Sequence, residues 1–170
     1  IAIDPDTPDW MLAGLCGWPT YASQPAYRSL DGGVTWEPVV GLEGQVYEFH
    51  FDRTTPPEAR IAFAGTPKGV FQSKDQGASW TRVGPEIGDG CVAAFAAGSR
   101  AATGVTRLFC CVTSADESKT DSPAWIMRSA DGGGTWERVS ELAAGSGGRP
   151  LYLLVSDADP HRVYLVKSWN

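Results

Sequence analysis

The sequence predicts an all-β protein, a β-propeller of four-stranded antiparallel blades. Three observations indicate this fold. An octet recurs along the chain, four short strand-like runs surround each copy, and no stretch shows a convincing helical period. The chain would supply about three and a half blades, and because closed propellers need about four to eight, we expect a larger propeller and a longer parent polypeptide.

The octet reads S-x-D-x-G-x-(T/S)-W and occupies residues 29–36, 73–80 and 129–136. Its copies are spaced at the interval expected of a four-stranded propeller unit. The first unit reads as the strands "IAID", "WMLAGL", "PAYRS" and "TWEPVV", each bounded by Gly, Pro, Asp or Ser. One domain over 1–170 is therefore predicted, with blades at about 1–40, 45–84 and 90–140 and an incomplete one at 150–170.

Each octet is predicted to be the turn between the third and fourth strands of its blade. The aspartate would accept bonds from backbone N–H groups two or three residues onward, and the glycine would take a positive φ. The hydroxyl would tie the turn together, and the tryptophan would pack beneath it. The structural residues are Ser29, Asp31, Gly33, Thr35 and Trp36; Ser73, Asp75, Gly77, Ser79 and Trp80; Ser129, Asp131, Gly133, Thr135 and Trp136.

Other interpretations of the octet are weaker. A phosphate loop would need a following helix and usually a lysine, and neither follows. A calcium loop would need several alternating oxygen ligands, whereas each turn offers one aspartate. We therefore predict no metal and no cofactor.

The amino-acid composition argues against several classes of binding partner. A net charge of −6 argues against nucleic acid and against an anionic membrane surface. No apolar run is long enough for a membrane span. Cys16, Cys91, Cys110 and Cys111 form no CxxC pair, which argues against a zinc ribbon. They fit buried strand positions, with a disulfide from Cys91 to Cys110 or Cys111 as the alternative.

The octets resemble Asp-boxes, also called bacterial neuraminidase repeats. Such repeats occur in sialidases, family 74 glycoside hydrolases, sortilin-type receptors and photosystem II assembly factors. "IAIDPDTPD" and "AFAGTPKGVFQSKDQGASW" are similar to the branch of xyloglucanases, sortilins and assembly factors. The Arg-Ile-Pro motif of sialidases is absent from this sequence, so a classical sialidase is disfavoured. The resemblance implies that the boxes lie at the blade periphery, away from any active site.

The face opposite the boxes would carry the long loops, where functional residues usually lie. Trp18 and Tyr21 are candidates for stacking on sugar rings, and Arg149 for holding an anion. Asp89, Asp116 and Glu117 are weak catalytic candidates, with Asp121 in the same acidic loop. Each also fits a structural or solvated role, and that alternative stays open.

The resemblance implies an extracytoplasmic carbohydrate-active module, secreted or periplasmic. It would be glycoside hydrolase-like on β-glucan or xyloglucan, or glycan-binding; the sequence leaves open whether it is an enzyme. The alternative is a non-catalytic propeller that binds protein or peptide. A third hypothesis is an incomplete propeller that closes by association. A bacterial source is expected because asparagine occurs only at Asn170 and arginine outnumbers lysine.

Overall fold

The computed structural model describes residues 1–14, 26–88, 90–114, 123–143 and 150–167, and for residues 150 and 151 the backbone alone. Its strands form three four-stranded sheets and one two-stranded sheet, each antiparallel and each in sequence order. In the described residues the helical elements are single 3₁₀ turns at Pro57–Ala59, Pro85–Ile87 and Ala101–Thr103. The predicted all-β class of antiparallel four-stranded units is confirmed.

Sheet 1 contains β1 (Ala2–Ile3), β2 (Met11–Gly14), β3 (Ala26–Ser29) and β4 (Glu37–Pro38). Sheet 2 contains β5 (Glu48–Phe51), β6 (Ala62–Thr66), β7 (Gly69–Ser73) and β8 (Thr81–Val83). Sheet 3 contains β9 (Cys91–Arg100), β10 (Val105–Thr113), β11 (Ala124–Ser129) and β12 (Glu137–Leu142). Sheet 4 contains β13 (Pro150–Ser156) and β14 (Asp159–Lys167).

The first strand of each sheet lies towards the inside of the arrangement and the fourth lies outside. First strands of successive sheets approach one another, β1 with β5, β5 with β9 and β9 with β13. The fourth strands are exposed along most of their length. The inner strands are therefore the part of each sheet that can face a central channel.

Apolar side chains fill the spaces between successive sheets. One cluster, with Trp10, Leu12 and Phe71, lies between sheets 1 and 2, and another, with Phe63, Val92 and Phe95, lies between sheets 2 and 3. A third joins sheets 3 and 4 through Phe109, Ile126 and Leu153. The sheets come close where Gly65 meets Phe95, since a Cβ atom on Gly65 would collide with that side chain. Burial of this apolar surface is the main force holding the stack.

The cysteines are thiols in the described part of the chain. Cys91 forms no disulfide with Cys110 or Cys111, so that alternative is wrong. The strand register explains why this disulfide does not form. Cys91 lies opposite Thr113, whereas Cys110 and Cys111 lie opposite Phe95 and Ala94. Burial raises the pKa of both neighbouring thiols, that of Cys111 to about 11, which makes them unreactive core residues. Cys16 lies outside the described residues.

Across the residues that the structure describes, no helix is both long and apolar enough to cross a membrane.

Candidate functional site

Each octet forms the same hydrogen-bonded turn, seen first at residues 29–36. Ser29 Oγ donates to Asp31 Oδ1 over 2.8 Å and accepts from Gly33 N over 2.8 Å. Asp31 Oδ1 accepts from Thr35 N over 2.9 Å, and Asp31 Oδ2 accepts from Thr35 Oγ1 over 2.5 Å. Trp36 Nε1 donates to Gly33 O over 3.0 Å and closes the turn.

The second and third turns repeat these bonds atom for atom. In the second, Asp75 accepts from Ser79 N and Ser79 Oγ. In the third, Asp131 accepts from Thr135 N and Thr135 Oγ1. The positive φ predicted for the central glycine is confirmed, at 89°, 78° and 91° for Gly33, Gly77 and Gly133.

The partner predicted for the aspartate needs a correction. Asp31 binds chiefly the N–H group of Thr35, four residues onward, while the predicted bond from the N–H of Val34, three residues onward, contributes least. The serine at the start of the octet binds the glycine N–H instead, because its short side chain lies directly under the turn. The octet is thus a turn closed by two side chains and not a simple Asx-turn.

These bonds stabilise the ionised form of each box carboxyl. The Thr35 hydroxyl and backbone N–H lower the pKa of Asp31 to about 2. The backbone N–H and hydroxyl of Thr135 likewise lower the pKa of Asp131. Burial alone would raise the pKa of Asp75, but bonds from Ser79 and Ser73 outweigh it and lower that pKa. Carboxylates that are ionised and occupied by the turn's own donors are unsuited to proton transfer.

Neighbouring sheets are joined by side chains on the same side of the molecule as the boxes. Gly32 N donates to Asp9 O over 3.0 Å, which places the β1–β2 turn beside the first box. From sheet 2, the buried Arg60 donates to Asp4 Oδ2 over 3.1 Å and to Asp6 Oδ2 over 2.5 Å. Arg60 also donates to the carbonyl oxygens of Asp52 and Thr55. A single guanidinium therefore connects the first two sheets.

The same kind of connection continues to sheets 3 and 4. Asp52 Oδ1 accepts from Thr106 Oγ1 of sheet 3 over 2.6 Å. Asp157, in the β13–β14 turn, accepts from Ser99 N over 2.7 Å. We call Asp4, Arg60, Asp52, Thr106, Ser99 and Asp157 the inter-sheet relay. It stabilises the box side of the stack by satisfying buried polar groups across sheet boundaries.

Two ionisable side chains project from the inner strand β5 towards the free edge of β9. They are Glu48 and His50, which share one side of the strand because side chains alternate. The backbone N–H of Ala97 donates to the Glu48 carboxylate. His50 Nε2 lies 2.5 Å from Ser99 Oγ. Since β9 is the last strand in its sheet, these groups border its unpaired inner edge.

The environment shifts the pKa values of Glu48 and His50 so that the neutral form of each side chain is favoured. Burial raises the pKa of Glu48 to about 7, and the hydrogen bond from Ala97 only partly opposes it. Burial also lowers the pKa of His50, against the opposing charges of Asp157 and Asp52. A half-buried carboxyl with a pKa of about 7 still holds its proton in a substantial fraction of molecules at neutral pH and can donate it, as a general acid must.

His50 and Ser99 do not form a nucleophilic pair. Ser99 is only 1% exposed, so its hydroxyl cannot meet a substrate. Its hydroxyl oxygen also lies 3.3 Å from Thr106 Oγ1, within the inter-sheet relay. His50 and Ser99 therefore have a structural role, as hydrogen-bonded buried side chains where sheets 2, 3 and 4 meet.

Glu48 lies at the end of β5 opposite the boxes. β5 begins at Glu48 and ends at Phe51, and the next residue is Asp52 of the relay. At about 3.3 Å per residue, Glu48 is about 13 Å from the Asp52 end. Glu48 is therefore on the side where the long loops were predicted to lie.

The predicted ligand-binding and catalytic candidates lie outside the described residues. They are Trp18, Tyr21, Asp89, Asp116, Glu117, Asp121 and Arg149. The described residues contain no group of three or more His, Cys, Asp or Glu side chains that could hold a metal ion.

Sequence reasoning missed Glu48 and His50. A usable signal exists in "VYEFHF", where Glu48 and His50 occupy one side of a strand whose other side carries Tyr47, Phe49 and Phe51. On a strand that is covered on both sides, two ionisable residues at alternate positions indicate either a structural network or a functional site.

Comparisons with known proteins agree with this fold. The family model of the BNR/Asp-box repeat matches residues 27–38, which contain the first box. Among solved structures, the chain is similar to an ancestral GH74 enzyme, with a TM-score of 0.74 and 18% identity over 99% of this chain and 24% of that chain. It also matches YCF48 bound to D1 peptide, with a TM-score of 0.35 and 17% identity over 98% of this chain and 64% of that one. No curated protein matches the sequence.

The chain thus spans about a quarter of the length of the GH74 structure that it resembles. The repeat match, together with the fold of that structure, confirms the prediction of an Asp-box β-propeller. Identity at this level supports the fold and leaves the activity to be argued from the site.

Proposed function

We propose that this chain is part of an extracytoplasmic, bacterial, carbohydrate-active propeller of the glycoside hydrolase type, acting on β-glucan or xyloglucan. One observation carries the proposal, the half-buried carboxyl of Glu48 on an inner strand at the end opposite the boxes, where burial raises its pKa to about 7. The fold that the chain shares with an ancestral GH74 enzyme over nearly its whole length supports a carbohydrate substrate.

In this proposal Glu48 is the general acid. Its carboxyl would give a proton to the glycosidic oxygen while the bond from that oxygen to the anomeric carbon breaks. Water would then supply a hydroxyl group to the anomeric carbon and a proton to restore the acid. Burial raises the pKa of Glu48 to about 7, so a substantial fraction of the carboxyl carries the proton that the first step requires at neutral pH.

A second carboxylate is needed to complete the reaction. Glycoside hydrolases place it about 5 to 9.5 Å from the acid, either as nucleophile or as base for water. Asp89, Asp116 and Glu117 are our candidates for this role. Trp18, Tyr21 and Arg149 are our candidates for contacts with sugar rings and their substituents.

The test measures hydrolysis and binding separately. The protein is incubated with xyloglucan and a panel of β-glucans, and released reducing ends are counted; affinity electrophoresis measures binding to the same glycans. Replacing Glu48 by Gln should lower the release of reducing ends about 100-fold or more, because general acid catalysis contributes that much, and should leave binding intact.

Glu43→Gln is the matched control, because Glu43 precedes the same strand and is exposed. It should change neither hydrolysis nor binding. Equal loss in both variants would contradict the role of Glu48. Absence of both hydrolysis and binding with every glycan would contradict the proposed function and favour a protein-binding propeller.

A further inference from the structure

The inner edge of β9 is bound by side chains from both neighbouring sheets. Ala97 N donates to the Glu48 carboxylate of sheet 2, and Ser99 N donates to Asp157 Oδ1 of the β13–β14 turn over 2.7 Å. These two N–H groups are two residues apart, so both point out of the same edge of the strand. Because the Ser99 hydroxyl also lies 2.5 Å from His50 Nε2, Ser99 is the residue at which sheets 2, 3 and 4 meet.

The direction of the bond between Ser99 and His50 follows from the protons that are available. The hydroxyl of Thr106 has a single proton, and it donates that proton to Asp52 Oδ1 over 2.6 Å. Ser99 Oγ lies 3.3 Å from Thr106 Oγ1 and 2.5 Å from His50 Nε2, so the ring nitrogen is the nearer acceptor for the Ser99 proton. This arrangement therefore holds His50 in its neutral form, with the ring proton on Nδ1.

Protonation of His50 at Nε2 reverses this bond. Nε2 then donates to Ser99 Oγ, and the Ser99 proton has to turn to Thr106 Oγ1, where the separation of 3.3 Å gives a longer and weaker hydrogen bond. The added proton comes from water, and Ser99 Oγ occupies the direction from which it would approach Nε2. Ser99 is only 1% exposed, so the proton can enter only when the contact between β5 and β9 opens.

The charged groups that face His50 only partly favour its protonation. They are Asp157, from the β13–β14 turn, and Asp52, which follows His50's own strand. Glu48 is the other titratable group on this side of β5, the residue paired with His50 across β6 is the apolar Phe63, and β9 and β10 face His50 with neutral hydroxyl groups. Burial outweighs the two carboxylates and lowers the pKa of His50.

The sign of the resulting pH dependence follows from this lowered pKa. Below the ordinary histidine value of 6.5, His50 takes up a proton in an opened or unfolded chain more readily than in the closed structure. Acid therefore favours the opened form, and the contact is strongest at a pH above 6.5.

A histidine is not needed at this point for a blade to form. Counted from the residue that pairs with the box serine, the same register position is held by Ala2 in sheet 1 and by Ala96 in sheet 3. Alanine is thus sufficient for strand pairing at this position. In sheet 2, His50 adds a titratable group to a contact that otherwise needs none.

We propose that His50, Ser99 and Asp157 form an acid-sensitive latch, which holds sheets 2, 3 and 4 together at neutral pH and opens in acid. Opening separates Ser99 Oγ from His50 Nε2 and releases Ser99 N from Asp157. Ala97 lies on the same edge of β9, so the contact of Glu48 with that edge loosens as well. The latch requires no substrate and does not depend on the proposed function.

The titration of His50 tests the latch in the unaltered protein. The sequence has two histidines, and proton NMR follows both rings from pH 8 to pH 4.5, with His161→Gln identifying which signal is which. We expect the His50 signal to titrate below pH 6.5, because the closed contact resists the proton. Titration of His50 at pH 6.5 or above would overturn the proposal.

Hydrogen exchange of the Ser99 amide measures the opening. Its rate, divided by the intrinsic exchange rate at each pH, is compared in wild type and in His50→Gln, whose Oε1 can accept from Ser99 and takes up no proton. The ratio of wild-type to variant exchange should be at least about fivefold larger at pH 5 than at pH 7.5. Because Glu48 titrates in both proteins, its contribution cancels in this ratio.

His161→Gln is the matched control, since His161 is an exposed histidine of β14. Exchange of the Ser99 amide in this variant should follow wild type at both pH values. An equal ratio of wild-type to His50→Gln exchange at pH 5 and pH 7.5 would overturn the latch, and so would the same effect in His161→Gln. The NMR titration needs no substitution at position 50, so it decides the matter even where His50→Gln does not fold.

Discussion

At the residue scale, Glu48 combines two properties that a surface glutamate lacks. Its carboxyl is partly removed from water, and its hydrogen-bond donor in the protein is a neutral backbone N–H rather than a cation. A neutral donor compensates only part of the lost hydration of a carboxylate, so the protonated form is favoured. When the Glu48 carboxyl ionises, it therefore destabilises the folded state.

This property predicts a pH dependence of stability. The folded-state pKa of Glu48 is about 7 and its ordinary value is 4.5, so the native protein binds more protons than the unfolded chain between these values. Stability should therefore fall as pH rises through this window. Glu48→Gln should remove that loss and make the protein more stable than wild type at pH 8, by about 2–3 kcal/mol.

Urea denaturation of both proteins at pH 5 and pH 8 measures the effect. The advantage of Glu48→Gln should be larger at pH 8, while Glu43→Gln, at an exposed position, should follow wild type at both pH values. An equal difference between wild type and Glu48→Gln at the two pH values would show that Glu48 titrates normally.

Residues of this kind were the least predictable part of the molecule. The strand around Glu48 could be predicted from its apolar neighbours, but its burial depends on Ala97, 49 positions away in β9. No local pattern encodes which sheet lies opposite a given side chain. The same holds for Arg60 and Asp4, since each is an ordinary turn residue until the two sheets are brought together.

At the scale of the element, the box turn, unlike Glu48, could be predicted from local sequence. All of its side-chain hydrogen bonds connect residues within the same eight positions. The local sequence of Ser, Asp, Gly and Thr or Ser is therefore sufficient to determine the turn. Its identity as a turn and its positive φ values were predictable for this reason. The donor of each bond could not be predicted, because the same sequence allows the aspartate to accept from an N–H group two residues or four residues onward.

The turn predicts a difference between two adjacent substitutions. Asp75→Ala removes the acceptor of Ser79 N, Ser79 Oγ and Ser73 Oγ and should cost about 1–3 kcal/mol of unfolding free energy. Lys74→Ala, in the same turn at an exposed position, should cost less than about 0.5 kcal/mol. Thermal denaturation of the two variants compares them, and similar losses would contradict a structural role for the box aspartate.

At the scale of the whole molecule, the sheets are held together by apolar packing between faces and by the inter-sheet relay at one end. Packing alone tolerates sliding between sheets, whereas Arg60 fixes sheet 1 to sheet 2 by charge-assisted bonds of defined geometry. Asp4 is fully buried, and its carboxylate pairs with Arg60 over 3.1 Å. The relay should therefore contribute more to the alignment of sheets than to net stability.

This reasoning predicts how two substitutions combine. Arg60→Met leaves the buried Asp4 carboxylate without its cation and should cost about 3–5 kcal/mol of unfolding free energy. Asp4→Asn on the Arg60→Met background removes that charge and should recover part of the loss, so the double variant is more stable than Arg60→Met alone. Urea denaturation of wild type, both single variants and the double variant gives the coupling free energy. Additive losses would mean that Arg60 and Asp4 act independently, and the junction between sheets 1 and 2 would then rest on apolar packing alone.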